Sequence, residues 1–199
     1  MEEYSLDDQF GNPKYLSQSE RQRFYIAISD ALGREEAPFA LMIYWTGCRL
    51  SEALGVQYNH IDCSQHSIRF KTLKRRKLVY RTVPVPESFT EKLNDVYDVK
   101  QIQKSRIKKE REGVVWPYSR QWGYNQIKKV MKEAKIFGVQ ATPKGLRHSF
   151  VIAHQENKVP GHMIQKWAGW SSTNMLQVYG AALGQEERNL ASHLWDIEK

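Results

Sequence analysis

Four short segments, far apart in a chain of 199 residues, carry side chains suited to work on an anion. The first is Thr46-Gly47-Cys48-Arg49-Leu50-Ser51-Glu52-Ala53-Leu54. Gly47 allows a sharp turn after an apolar run. Arg49 then opens the next helix, where helix-end amides and a guanidinium together suit an oxyanion. Glu52, one turn on, is placed to hold Arg49. The second is a basic stretch in which Lys71, Lys74, Arg75, Arg76 and Lys77 would lie well along a phosphate backbone. The third runs from Thr142 to Phe150. Pro143 marks a helix start and sets Lys144 and Arg147 three apart, on one face. Two cations beside a helix N-terminus are disfavoured by the helix dipole unless an anion sits there. His148 reads as a packed or hydrogen-bonded histidine rather than a catalyst. The fourth is Ala168-Gly169-Trp170-Ser171-Ser172, with Tyr179 nine residues after Trp170. Each segment alone also has an ordinary reading: a helix corner, a charged hairpin that keeps a sheet edge soluble, a core tryptophan, a surface tyrosine.

The elements that must hold these residues can be read from patterning. Ser17 and Glu20 have capping-box form. Phe24, Ile28, Ala31 and Leu32 follow at helical spacing, and Gly33 closes that helix. Pro38 and the apolar run from Phe39 to Trp45 make a buried helix ended by Gly47, and a short helix follows from about Leu50 to Leu54. Ile61, Ser67 to Phe70 and Leu78 to Val83 are rich in β-branched and aromatic residues and predict strands, with the basic stretch as a hairpin tip. Helical pattern returns from about Ser88 and from Gln121 to Lys135, and Pro143, Pro160 and Ser171 mark three further helix starts. Between them, Lys100 to Arg111 is a mixed-charge run that reads as a solvated helix end or loop. Gly180 and Gly184 precede a last amphipathic helix carrying Leu190, Ala191, Leu194 and Trp195. The expected fold class is α+β: a mainly helical domain with a small three-stranded antiparallel sheet.

Bulk properties agree with an anionic partner. Lysine plus arginine number 30 against 22 acidic residues, a net charge of +8, which favours nucleic acid or an acidic membrane surface. No apolar run approaches the roughly 20 residues that span a bilayer, which leaves nucleic acid as the better partner. Cys48 and Cys63 form no CxxC pair and no zinc-spaced cluster, and reduced thiols fit a cytoplasmic protein, nucleoid-associated if its partner is DNA; no metal and no cofactor are expected.

Taken together, Thr46–Leu54, Thr142–Phe150, Ala168–Ser172 and Tyr179 resemble, in order, the active-site boxes of the tyrosine recombinase (phage integrase) family. The resemblance runs from about Leu16 to the end. It implies an arm over 1–15, flexible, and a catalytic domain over 16–199 whose C-terminal helix is exchanged between protomers. It further implies that Arg49 and Arg147 are the two catalytic arginines, that Lys74 is the hairpin lysine ahead of Lys71 and Lys77, and that Tyr179 is the nucleophile. Lys144 and Trp170 each stand where many members have histidine.

The implied substrate is double-stranded DNA at specific recombination sites. Attack by Tyr179 on a phosphodiester gathers charge on the non-bridging oxygens. Each arginine can meet that charge with a planar fork worth about a hundred- to a thousandfold in rate. Trp170 adds an indole N–H donor. Lys74 is placed to protonate the leaving 5′ hydroxyl, and Lys144 either helps deprotonate Tyr179 or binds phosphate. The 3′-phosphotyrosine product conserves the ester bond, so rejoining needs no ATP. The expected roles are integration, excision, inversion or dimer resolution. They call for a homotetramer on DNA, a monomer free in solution, and room for accessory DNA-bending proteins. Too few residues precede Arg49 for the family's usual N-terminal domain, so the chain is either a short recombinase or a catalytic domain cut from a longer one. Two rivals stay open: a type IB topoisomerase, and a non-catalytic DNA-binding protein on the same scaffold.

Overall fold

The computed structural model describes residues 5–74 and 77–170 together with Leu176, Val178 and Tyr179; side chains at 73, 74 and 77 fall outside that description. The expected last helix with Leu190, Ala191, Leu194 and Trp195, the helix start at Ser171, and Arg75 and Arg76 at the hairpin tip all lie outside the described residues.

The expected α+β class is what the chain adopts: helices packed around a buried helix, with a three-stranded antiparallel sheet to one side. Helix α1 (Gln18–Ala31) begins with the predicted capping box, Ser17 accepting from the Glu20 amide and Glu20 accepting from the Ser17 amide. It ends as expected just before Gly33, with Leu32 as the C-cap in extended backbone (φ −130°, ψ 144°). Helix α2 (Ala37–Thr46) is buried on every side from Ala37 to Tyr44, as a central helix must be. Helix α3 (Leu50–Leu54) follows, then strands β1 (Ile61–Asp62), β2 (Ser67–Lys74) and β3 (Lys77–Pro84), in spatial order β1-β2-β3. Register pairs Phe70 with Arg81 and Lys74 with Lys77. Helices α4 (Glu87–Tyr97), α5 (Val99–Gln103), α6 (Lys108–Arg111), α7 (Arg120–Glu133), α8 (Pro143–Glu156) and α9 (Gly161–Ala168) complete the described chain. No described helix is long and apolar enough to cross a membrane.

Helices α1 and α3 pack on α7, α2 packs on α8, and α9 bridges α8 and β3. The main core lies between these layers. A second, smaller core gathers Phe150, Val151 and Ile152 of α8, Ile164 and Ala168 of α9, Tyr179 and Leu6. Leu6 changes the view of the N-terminus. Where a loose arm was expected over 1–15, the described part is docked: Leu6 is buried, Lys14 donates its amide to the Leu6 carbonyl, and the Leu16 amide donates to the Ser149 hydroxyl. The Lys14–Leu6 bond closes the segment on itself, while burial of Leu6 and the Leu16–Ser149 bond hold it to α8.

The corner between α2 and α3 depends on Gly47, which caps α2 in left-handed backbone (φ 57°). A Cβ there would lie 2.5 Å from the Phe150 ring of α8. We therefore expect Gly47→Ala to destabilise the fold by about 2 kcal/mol or more, from left-handed strain plus overpacking. In thermal unfolding that should lower Tm by roughly 4–8 °C for a domain of this size. An unchanged Tm would mean the corner relaxes freely.

Candidate active site

Arg147 sits in the second turn of α8, within an unbroken buried run from Gly145 to Ile152. A buried guanidinium must find acceptors. Arg147 gives one N–H to the Gly47 carbonyl and one to the Ala168 carbonyl, both at 2.6 Å. It thereby pins the corner before Arg49 and the end of α9, just ahead of Trp170. Burial first, then the charge of Arg49, push its pKa down to about 10, so it remains cationic at neutral pH.

Arg49 is the N-cap of α3 and its side chain is 48% exposed. Its Nη1 donates to Glu52 Oε1 at 3.1 Å, and its backbone amide donates to Glu52 Oε2 at 2.8 Å. The expected Arg49–Glu52 pairing is present through one guanidinium N–H, and with Arg49 half exposed and partly screened by solvent it does little alone to fix the side chain. Glu52 itself is held from behind by Arg81, a residue with no place in the motifs. Arg81 Nη1 and Nη2 reach Glu52 Oε1 and Oε2 at 3.0 and 2.7 Å. Both side chains are nearly fully buried. Burial raises the Glu52 carboxyl, but hydrogen bonds and charge from Arg81, the Arg49 amide and Thr72 outweigh it and hold the pKa at about 2. One signal for Arg81 was present in the sequence: strand alternation of Val79, Arg81 and Val83 puts an arginine on the apolar phase of β3, where only a buried acid makes sense of it.

Tyr179 is 1% exposed, its ring 5.0 Å from that of Trp170. Its hydroxyl is hydrogen-bonded to Nδ1 of His148, which is also buried. Burial, with the nearby charges of Lys144, Arg147 and Lys14, pushes the His148 pKa down to about 4, so the ring is neutral at pH 7. Lys144, on the first turn of α8, is exposed. These residues meet in one place: Arg49, Lys144, Arg147, His148, Trp170 and Tyr179 line a single open cleft of about 770 Å³. Arg120 and Tyr124 of α7 and Lys14 line it too, and no motif flagged them.

The hairpin is placed less completely. Lys71 is exposed on β2, one position before Thr72, whose hydroxyl bonds Glu52 Oε1 at 2.9 Å. Lys74 is the last residue of β2, two positions beyond Thr72, and pairs with Lys77 across the turn. The side chains of Lys74 and Lys77 lie outside the description. Among the described residues no group of three or more His, Cys, Asp or Glu could hold a metal ion.

A cleft that gathers two arginines, a lysine, an indole and a tyrosine from segments a hundred residues apart agrees with the family model for phage integrases, which matches residues 14–186. The chain belongs to the phage integrase family. It is 26% identical over 196 residues to the tyrosine recombinase XerA of Thermococcus kodakarensis, covering 94% of this chain and 64% of the relative. It is also 26% identical over 176 residues to the XerA of Thermococcus onnurineus, covering 84% and 57%. The chain thus spans about three-fifths of the length of these curated relatives. Among solved structures, the XerH recombinase bound to its palindromic difH substrate after cleavage superposes with TM-score 0.74 at 18% identity, over 98% of this chain and 57% of that one. The XerA recombinase superposes with TM-score 0.70 at 21% identity, over 90% and 62%. The catalytic domain of the bacteriophage HP1 integrase superposes with TM-score 0.61 at 17% identity, covering 89% of this chain and 93% of that domain. The phage-integrase fold is thus shared with the integrase catalytic domain nearly end to end.

The shared carboxylate makes a measurable prediction. Glu52 is depressed from 4.5 to about 2 on folding, so its contribution is complete above about pH 4.5 and is lost as pH falls through about 2. His148 is depressed from 6.5 to about 4, so its contribution is lost as pH falls from 6.5 towards 4. Glu52→Gln should cost about 3–5 kcal/mol at pH 7, because it strands the buried Arg81 charge. It should also flatten the acid limb of stability below pH 4.5 while leaving the limb above it in place. Denaturant unfolding from pH 7 to 2.5 would show this; parallel wild-type and variant curves would refute the coupling.

Proposed function

We propose that this chain is a site-specific DNA recombinase, cutting and rejoining strands through a 3′-phosphotyrosine at Tyr179. The observation that carries the reading is the convergence of Arg49, Lys144, Arg147, Trp170 and Tyr179 on one cleft. A scissile phosphate seated there meets the Arg49 fork and those Arg147 N–H groups not spent on Gly47 and Ala168. Tyr179 Oη attacks phosphorus, losing its proton, and the 5′ oxygen leaves, gaining one. A 5′ hydroxyl from another strand reverses the step without an external energy source. Because Tyr179 is buried against His148, the hydroxyl must leave that contact before it can lie in line with the phosphate.

Double-stranded DNA is the proposed partner, supported by the net charge of +8 and by related proteins whose structures hold DNA substrates. Lys74 is the proposed acid for the leaving group. Lys144 is proposed to bind phosphate or to ease deprotonation of Tyr179.

The test uses nicked suicide duplexes tiled across the DNA flanking this protein's own gene. The wild type should form a covalent adduct that resists denaturation. Tyr179→Phe should abolish the adduct yet bind the same duplex within a fewfold, since one hydroxyl adds little to affinity set by phosphate contacts. Arg147→Lys should lower adduct yield by roughly a hundredfold or more, since an ammonium lacks the fork. An adduct formed by the Phe variant would remove Tyr179 from the chemistry. Adducts formed on all duplexes alike would favour a topoisomerase.

Exchange of two duplexes takes four cuts, so four copies are proposed on DNA and one copy off it, where like charge keeps protomers apart. Truncation before Leu183 should preserve binding to one half-site and abolish cooperative filling of the paired half-sites in a gel-shift titration. Undiminished cooperativity would refute tail-mediated assembly.

A further inference from the structure

Among the described residues, the arginine with the most hydrogen bonds is not one of the two that face the cleft. Arg81 Nε donates to the Trp167 carbonyl at 2.8 Å, Nη1 to Thr72 Oγ1 at 2.7 Å and to Glu52 Oε1 at 3.0 Å, and Nη2 to Glu52 Oε2 at 2.7 Å. Its guanidinium carbon lies 4.8 Å from the Phe70 ring centre, its partner across the strands. On the other side is Gly169, where a Cβ would come within 3.1 Å of Arg81 Cδ and Nε. The space is built for this one planar group.

Three parts of the cleft end on it. Glu52 carries Arg49, Thr72 belongs to the hairpin stem that leads to Lys74, and Trp167 begins the turn that leads to Trp170. We propose that Arg81 is a positioning residue for strand cleavage: it clamps Glu52 and so sets the direction of the half-exposed Arg49 guanidinium, and it holds the hairpin stem and the Trp170 turn to the same carboxylate. The catalytic part of this rests on the recombinase reading above; the ordering of Arg49 does not. The physical reason is an asymmetry of burial. The Arg49 side chain is half exposed and meets Glu52 through a single guanidinium N–H, whereas Arg81 and Glu52 are both buried and bidentate, which is the geometry that fixes direction. Arginine is required because lysine offers no planar fork and cannot serve Glu52, Thr72 and Trp167 at once.

The test has an arm without DNA. In protein carrying ¹⁵N-arginine, the Arg49 Nε order parameter should be high in wild type, should fall to that of a free surface arginine in Arg81→Met, and should fall part-way in the milder Arg81→Lys. The second arm measures adduct formation on the nicked duplex captured by wild type. Arg81→Met should slow it roughly thirty- to a hundredfold, the scale of a misplaced catalytic group, with half-site binding little changed. Arg81→Lys should fall between. In an Arg49→Ala background, adding Arg81→Met should slow cleavage by no more than about twofold further, since both changes remove one function. If Arg81→Met does not fold, Arg81→Lys carries both arms. An Arg49 signal equally ordered in the Arg81 variants would overturn the proposal, as would slowing that multiplies fully with that of Arg49→Ala. If wild type captures no duplex at all, the recombinase reading fails, and the first arm still decides whether Arg81 orders Arg49.

Discussion

A guanidinium buried under a helix dictates much of this fold. Arg147 has surrendered most of its hydration and must be repaid by acceptors, and it takes two backbone carbonyls from segments 100 and 21 residues away. Both carbonyls belong to turns that a glycine makes: Gly47 at the end of α2 and Gly169 just past Ala168 at the end of α9, each in left-handed backbone. The turn residues and the buried cation explain each other. Glycine exposes the carbonyl to the guanidinium, and the guanidinium locks the turn that presents Arg49 on one side and Trp170 on the other.

The second arginine–carboxylate layer works by the same logic from the sheet side. Glu52 satisfies Arg49 at its exposed edge and Arg81 at its buried edge, so one acid links α3 to the hairpin. Hydrogen bonds and charge from Arg81, with the Arg49 amide and the Thr72 hydroxyl, hold its pKa low against burial. A cleft assembled this way holds its positive groups through buried partners of the protein itself, as the proposed stabilisation of charge on a phosphate would require. His148 belongs to the same architecture as a neutral ring: burial and three cations keep it from carrying charge of its own, while it engages the Tyr179 hydroxyl.

Much of this was legible in the residues. The capping box at Ser17, the left-handed stop at Gly47, the extent of α3 and the β2–β3 hairpin all follow from local rules, because each depends on backbone chemistry within a few positions. The boxes around Arg49, Arg147, Trp170 and Tyr179 stand out by type and order. What was not legible depends on partners far away in sequence. Residues 1–15 read as a loose arm, yet Leu6 is buried in the smaller core with α8 and α9. Arg81 carries no motif; strand alternation marks it as an arginine on an apolar phase, but its partner Glu52 is 29 positions away and is not named by any local pattern. Arg120 and Tyr124 come to the cleft through the placement of α7, which periodicity locates as a helix but does not aim.

The central claim is that the cleft exists to join Tyr179 to the 3′ end of a cut strand. Mass spectrometry of the trapped protein–DNA adduct, after protease and nuclease digestion, tests it most directly. The account predicts a nucleotide joined through its 3′ phosphate to the peptide containing Tyr179, with the fragment spectrum placing the added mass on that tyrosine and a free 5′ hydroxyl on the released strand. A nucleotide on any other residue, or a linkage through a 5′ phosphate, would contradict it.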